Sequence, residues 1–138
     1  MKKFVAPLLS ILTMILIGFS ACTSNDPEPA PTDERQVYAG IWSVYETETR
    51  LTYEVNIELD PQSQNGGVFI YNFANAGSSS VPAYAYVSGN TISLEVNQVI
   101  GDDWIINGSG TLASSRITWP YTLNDHATLH YISAIFTR

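Results

Sequence analysis

The chain of 138 residues carries 13 Asp and Glu against 6 Lys and Arg, a net charge of −7 at neutral pH, and 45% of it is hydrophobic. An acidic surface repels phosphates, which excludes nucleic acid as a partner class. Cys22 is the sole cysteine, so no internal disulfide and no cysteine-based zinc site or nucleophile can form.

At the N-terminus, Lys2 and Lys3 precede a largely apolar run, Phe4 to Phe19, which closes on Ser20-Ala21-Cys22. A basic start, an apolar stretch and small residues before a cut describe a secretory signal peptide over residues 1–21. The run has 16 residues and contains Pro7, Ser10, Thr13 and Gly18. A spanning helix needs about 20 apolar residues. Phe19 to Cys22 resembles the lipobox of bacterial lipoproteins, with Phe19 where that family usually has Leu. The resemblance implies cleavage before Cys22, diacylglycerol on its thiol and a further acyl chain on the new amino terminus. The alternative is an ordinary signal peptide followed by a free thiol. Several acyl chains anchor far better than one, since each buried CH₂ adds roughly 0.8 kcal/mol. Both lysines leave with the signal, and four arginines then face 13 carboxylates.

Residues 22–37 read as the lipid-bearing cysteine and a disordered acidic spacer. Thr23 to Val37 holds Pro27, Pro29 and Pro31 with four acids and almost nothing apolar, a composition unable to bury enough surface to fold. At about 3.1 Å per residue it reaches some 45 Å from the bilayer. Thr23, rather than Asp, after the cysteine resembles lipoproteins released to the outer membrane. Asp26 and Glu28 resemble the surface-export signal of some gut-bacterial lipoproteins, and the side of the membrane stays open.

From residue 38 to 138 the hydrophobic pattern has period two, the signature of strands with one wet face. The clearest case is Leu51-Thr-Tyr53-Glu-Val55-Asn-Ile57-Glu-Leu59, ended by Asp60-Pro61. Ile41–Thr49 precedes it, with Trp42 and Val44 on one face; Val68–Phe73 follows the turn-rich Gln62–Gly67. Ser80–Val87 puts Val81, Ala83, Ala85 and Val87 inward and Pro82, Tyr84 and Tyr86 outward, with Pro82 marking an edge or bulge. Ser88-Gly89-Asn90 turns into Thr91–Val96. Trp104–Leu112, Ile117–Leu123 and Ala127–Thr137 complete eight strands and no helix. Gly108 and Gly110 mark bending or close approach. Consecutive hairpins make an antiparallel meander, closing as a barrel or folding over as a sandwich. The inward set (Trp42, Leu51, Tyr53, Val55, Ile57, Leu94, Trp119, Tyr121) is bulky and favours a filled core over a cavity.

Gly40-Ile41-Trp42 opens the first strand and resembles the Gly-x-Trp start of lipocalins and the wider calycin superfamily. Gly89-Asn90-Thr91-Ile92, Gly108-Ser-Gly110-Thr111 and Tyr131–Thr137 resemble small calycin-like lipoproteins of Gram-negative bacteria. The resemblance implies an eight-stranded calycin-like barrel in which Trp42 closes one end and Arg138, just past the last strand, packs over it. It names no ligand.

Catalytic chemistry is hard to find. His126 and His130, four apart on a strand, stand about 13 Å from each other, too far for two zinc ligands. Asp102-Asp103 lacks the surrounding oxygen pattern of a calcium loop and reads as a solvated turn. Glu54 and Glu58 share one strand face at about 13 Å, beyond glycosidase spacing of about 5 to 9.5 Å, and Glu54 and Asn56 share no obvious pocket. Neither an enzyme class, a metal nor a cofactor is indicated. What remains is aromatic: Tyr84 and Tyr86 on an outer face suit sugar stacking or protein contact. The expectation is a non-catalytic binding module, anchored to the outer membrane through Cys22, with a protein or glycan partner. A carrier of a small apolar ligand within the barrel ranks second, and an enzyme third.

Overall fold

A computed structural model describes residues 32–138; the signal peptide, Cys22 and the spacer up to residue 31 lie outside the described residues. The domain has nine strands: β1 (Gly40–Glu46), β2 (Thr52–Leu59), β3 (Gly67–Tyr71), β4 (Ala83–Ser88), β5 (Thr91–Leu94), β6 (Gln98–Ile100), β7 (Trp104–Ala113), β8 (Arg116–Asn124) and β9 (Leu129–Thr137). Antiparallel neighbours run β5-β4-β3-β2-β1-β9-β8-β7. Pairing of Thr91, Ile92 and Ser93 with Thr111, Gly110 and Ser109 joins β5 to β7 and closes the sheet on itself. The result is a closed eight-stranded barrel of calycin-like architecture with one extra strand, which rules out the sandwich.

The extra strand corrects the expectation of eight. β6 lies along the start of β7, with Gln98 opposite Ile106 and Ile100 opposite Trp104. It prolongs the line of β5 after a break at Glu95-Val96-Asn97. Three residues are too short to show a period, so the sequence reads this stretch as loop. Side-chain amides patch the break. Gln98 accepts from the Tyr84 backbone N–H and donates to the Tyr84 carbonyl, each at 2.6 Å, as a ladder neighbour would. The side chains of Asn107 and Asn97 bond each other at 3.0 Å, and Asn107 also accepts from the Asn97 N–H.

Alternation decides the core. Trp42, Val44, Val55, Ile57, Ala83, Ala85, Val87, Ile92, Trp119, Tyr121 and Phe136 all point inward and are buried. Two expected inward residues do not. Leu51 and Val81 keep the phase but precede β2 and β4, where no ladder turns them inward, and are 46% and 70% exposed. Phe73 is not strand but opens a 3-10 turn, Phe73–Asn75, which inserts its ring into the barrel against Trp119 and Tyr121. Along β7 and β8 the pairing lapses at Ser109 and Gly110, facing Pro120, which has no N–H to give. A Cβ at Gly108 (φ +155°) would come within 2.6 Å of the Pro120 carbonyl, so the bend requires glycine.

The expected spacer boundary also moves. Glu34–Val37 is a 3-10 turn capped by Asp33 rather than free linker. The Arg35 guanidinium donates to the carbonyls of Asp60, Ser63 and Gly67, pinning this segment to the β2–β3 turn. Tyr38 is fully buried and donates through its hydroxyl to the Gly89 carbonyl.

Candidate functional site

The two barrel ends differ in chemistry. At the first, Trp42 Nε1 donates to the Tyr38 carbonyl at 2.7 Å. The Arg138 guanidinium lies 4.2 Å over the Trp42 ring and donates to the carbonyls of Ala39 and Val37. Gly40, in the left-handed region at φ +106°, lets the chain turn from Tyr38 into β1. Three groups thus seal this end: an indole, a stacked cation and the carbonyls around them.

The opposite end is a mouth. In β1 the inward phase runs Trp42, Val44, Glu46, so an acid takes the last apolar position, and Glu46 is only 2% exposed. Its Oε1 accepts from the hydroxyls of Tyr53 (2.7 Å) and Tyr121 (2.6 Å), and Oε2 accepts from Thr49 Oγ1 (2.6 Å). Burial first, then Glu46, pushes the Tyr53 hydroxyl far above the ordinary phenol range; for Tyr121 burial leads, followed by Tyr53 and Glu46. Both hydroxyls are held as donors to the Glu46 carboxylate.

Above this floor opens a cleft of about 640 Å³. Ala74 of the inserted turn, Trp104, Leu123 and Ile132 wall it, and Glu48, Leu51, Leu129, His130 and Tyr131 form the rim. Ala74 sits at φ +53° between Asn72 and Asn75, themselves in the left-handed region. Such backbone costs of order 1 kcal/mol or more at alanine, and it holds Phe73 down in the core. At the rim, His130 Nε2 donates to Asp125 Oδ2 at 3.0 Å. That bond, with the Thr128 and Ala127 backbone N–H groups, lowers Asp125 to about 2. Tyr131 is 71% exposed. A second groove of about 380 Å³ shares Glu48, Tyr121, Tyr131 and Ile132 with the cleft and continues over Gly108 and Pro120.

The residues expected to carry binding lie elsewhere. Tyr84 is half-buried; its hydroxyl donates to Asp60 Oδ2 at 2.8 Å, and its ring meets Phe69 and Tyr86 edge-on at 5.1 and 5.2 Å. Tyr86 is 40% exposed. Together they form an outer aromatic row on the wall. Asp103 occupies a left-handed turn and accepts from His126 Nε2 at 2.8 Å, so the two histidines bond different acidic-loop residues. Glu58 accepts from Asn56. Contrary to the sequence reading, Glu54 and Asn56 do share an outer groove, of about 350 Å³, with Ile41, Tyr71 and Asn72. The mouth residues Glu46, Trp104 and Tyr131 escaped sequence reasoning. The available signal was Glu46, an acid in the apolar phase of its strand.

No family model matches the chain, and no curated protein aligns with it.

Proposed function

We propose that this chain is a non-catalytic binding lipoprotein. A lipid on Cys22 holds it at the outer membrane, the acidic spacer sets the domain away from the bilayer, and a protein or glycan partner docks at the open end of the barrel. The observation that carries this reading is the mouth cleft. It is concave, walled by aromatic and apolar side chains, and floored by a few convergent polar groups, the usual composition of a ligand site. Its volume suits a small molecule or one segment of a chain, and the adjoining groove extends it for an elongated partner.

The carrier reading ranks lower because Trp42, Trp119, Phe73 and Phe136 are packed across the interior. Acid–base chemistry ranks lower still. Glu46, the one buried acid among the described residues, is tied to three hydroxyls, an arrangement that positions a carboxylate more than it frees it to move protons.

Two measurements test the proposal. Cys22→Ser is expected to leave an unlipidated precursor and abolish detergent-phase partitioning; processing and partitioning like wild type would overturn the anchor. For the cleft, amide shifts of the ¹⁵N-labelled protein are followed against small glycans, organic amines and laurate. Shifts gathered at Glu48, Leu51, Trp104 and Tyr131 support the mouth. Shifts at Tyr84 and Tyr86 would move the site to the outer wall, and shifts at Ile57 and Ile106 with laurate would restore the carrier.

A further inference from the structure

We infer that the mouth cleft selects an organic cation, a protonated amine carried on an apolar or aromatic stem. The inference rests on the reading of the mouth as the binding site and adds the chemistry of what enters it.

Charge is the first ground. The ionisable groups lining the cleft, apart from the Tyr121 and Tyr131 phenols, are Glu46, Glu48, Asp125 and His130. Among the described residues no arginine lines it. Arg50, in the turn between β1 and β2, is exposed and does not line the cleft. Arg35 is bound to Asp33, and Arg138 covers Trp42 at the other end of the barrel. His130 is bonded to Asp125, so Glu46 and Glu48 carry the excess of negative charge, and between apolar walls such an excess focuses its field on the opposite sign.

The second ground is the acceptor count at Glu46. A carboxylate offers about four acceptor positions, and three are filled by Tyr53, Tyr121 and Thr49. One position on Oε2 remains for a donor that the domain does not supply. A hydroxyl, an amide or an ammonium could fill it, but only an ammonium also answers the charge. The three hydroxyls hold the carboxylate in place, so little ordering is left to be done on binding.

Aromatic surface is the third. Trp104 on the wall and the exposed Tyr131 on the rim offer aromatic surface to a cation and to its stem. A sugar would use those rings equally well. It would gain nothing from the excess of negative charge.

The test uses three water-soluble probes with one phenyl stem each: phenethylamine, phenyl β-glucoside and hydrocinnamate. They are titrated against the full chain in phosphatidylcholine nanodiscs, by saturation-transfer difference NMR with empty discs as the control. The amine is expected to bind about tenfold or more tighter than the glucoside, the difference a charged hydrogen bond makes. Hydrocinnamate is expected to be excluded, and the amine's advantage to shrink as salt is raised. Glu46→Gln should erase that advantage, the amine losing about tenfold more affinity than the glucoside. Should that variant fail to fold, the ranking of the three probes on the native protein decides. A blocked Gly-Lys-Gly peptide tells the source: tighter than phenethylamine means a lysine of a partner protein, weaker means a free amine, and either supports the inference. Glucoside binding as tightly as the amine overturns the cation but keeps the cleft. Binding of none of the probes overturns the cleft itself.

Discussion

Trp42 and Tyr84 show how one residue's face sets its worth. Trp42 is fully buried, bonded through its indole N–H and covered by Arg138. Truncating it to alanine leaves a cavity and strands the cation, and a buried aromatic lost this way costs about 3 to 5 kcal/mol. Tyr84 lies on the outer wall with one hydroxyl bond to Asp60, and Tyr84→Ala removes less buried surface. Urea melts should therefore show a much larger loss for Trp42→Ala. Equal losses would mean that the ring over Arg138 contributes no more than a surface tyrosine. Trp42 could be found by its phase in the strand and by the Gly-x-Trp triplet. Arg138 was reachable only through the family resemblance, because nothing in local patterning links a C-terminal residue to one almost a hundred positions earlier.

At the level of elements, the barrel wall has one weak seam. On the side away from β3, the Gln98 side chain accepts from the Tyr84 N–H and donates to the Tyr84 carbonyl, which also accepts from the Glu95 N–H. Gln98→Ala leaves the Tyr84 N–H without a protein partner, and an orphaned buried donor costs about 1 to 3 kcal/mol. Amide exchange at Tyr84 is expected to accelerate strongly in this variant, while Ala85, paired to β3, and Tyr86, paired to β5, keep their protection. Unchanged exchange at Tyr84 would show that water serves that N–H as well as glutamine does. The sequence reads β1 to β5 and β7 to β9 because each keeps a period-two face long enough to register. It misses β6 and the turn at Phe73, since both are three residues long, too short to show a period, and Phe73 is held by Trp119 and Tyr121 far along the chain.

For the whole molecule, acid should loosen the domain. Asp125 is lowered to about 2, first by its hydrogen bond from His130. Asp33 is lowered by its bond from Arg35, Asp60 by the Gln62 N–H, and Glu48 by the Ser133 N–H. Each folded-state value lies below the unfolded one, which is about 4 for these groups. Between the two the unfolded chain binds more protons, so stability rises with pH and is lost as pH falls. The contribution is complete above about pH 5 and is lost as pH drops through about 4 towards 2. Urea midpoints at pH 6, 4 and 2.5 should fall in that order, and Asp125→Asn should flatten part of the slope. A midpoint unchanged down to pH 2.5 would contradict these bonds. The acids are at the surface, so added salt should also weaken the effect.

From the sequence alone came the strand character, the inward set of most strands and the Cys22 address expected of the N-terminus, because each of these is local: alternation, composition and a short motif carry them. The closure of the barrel between β5 and β7, the packing of Arg138 over Trp42 and the mouth with Glu46 at its floor were decided by tertiary structure. Each depends on residues far apart in the chain that meet only when the sheet curls round. Glu46 is the instructive case. As one letter in a strand it is an acid in the apolar phase, and it becomes the floor of the cleft only where Tyr53, Thr49 and Tyr121, from β2, a turn and β8, converge on it.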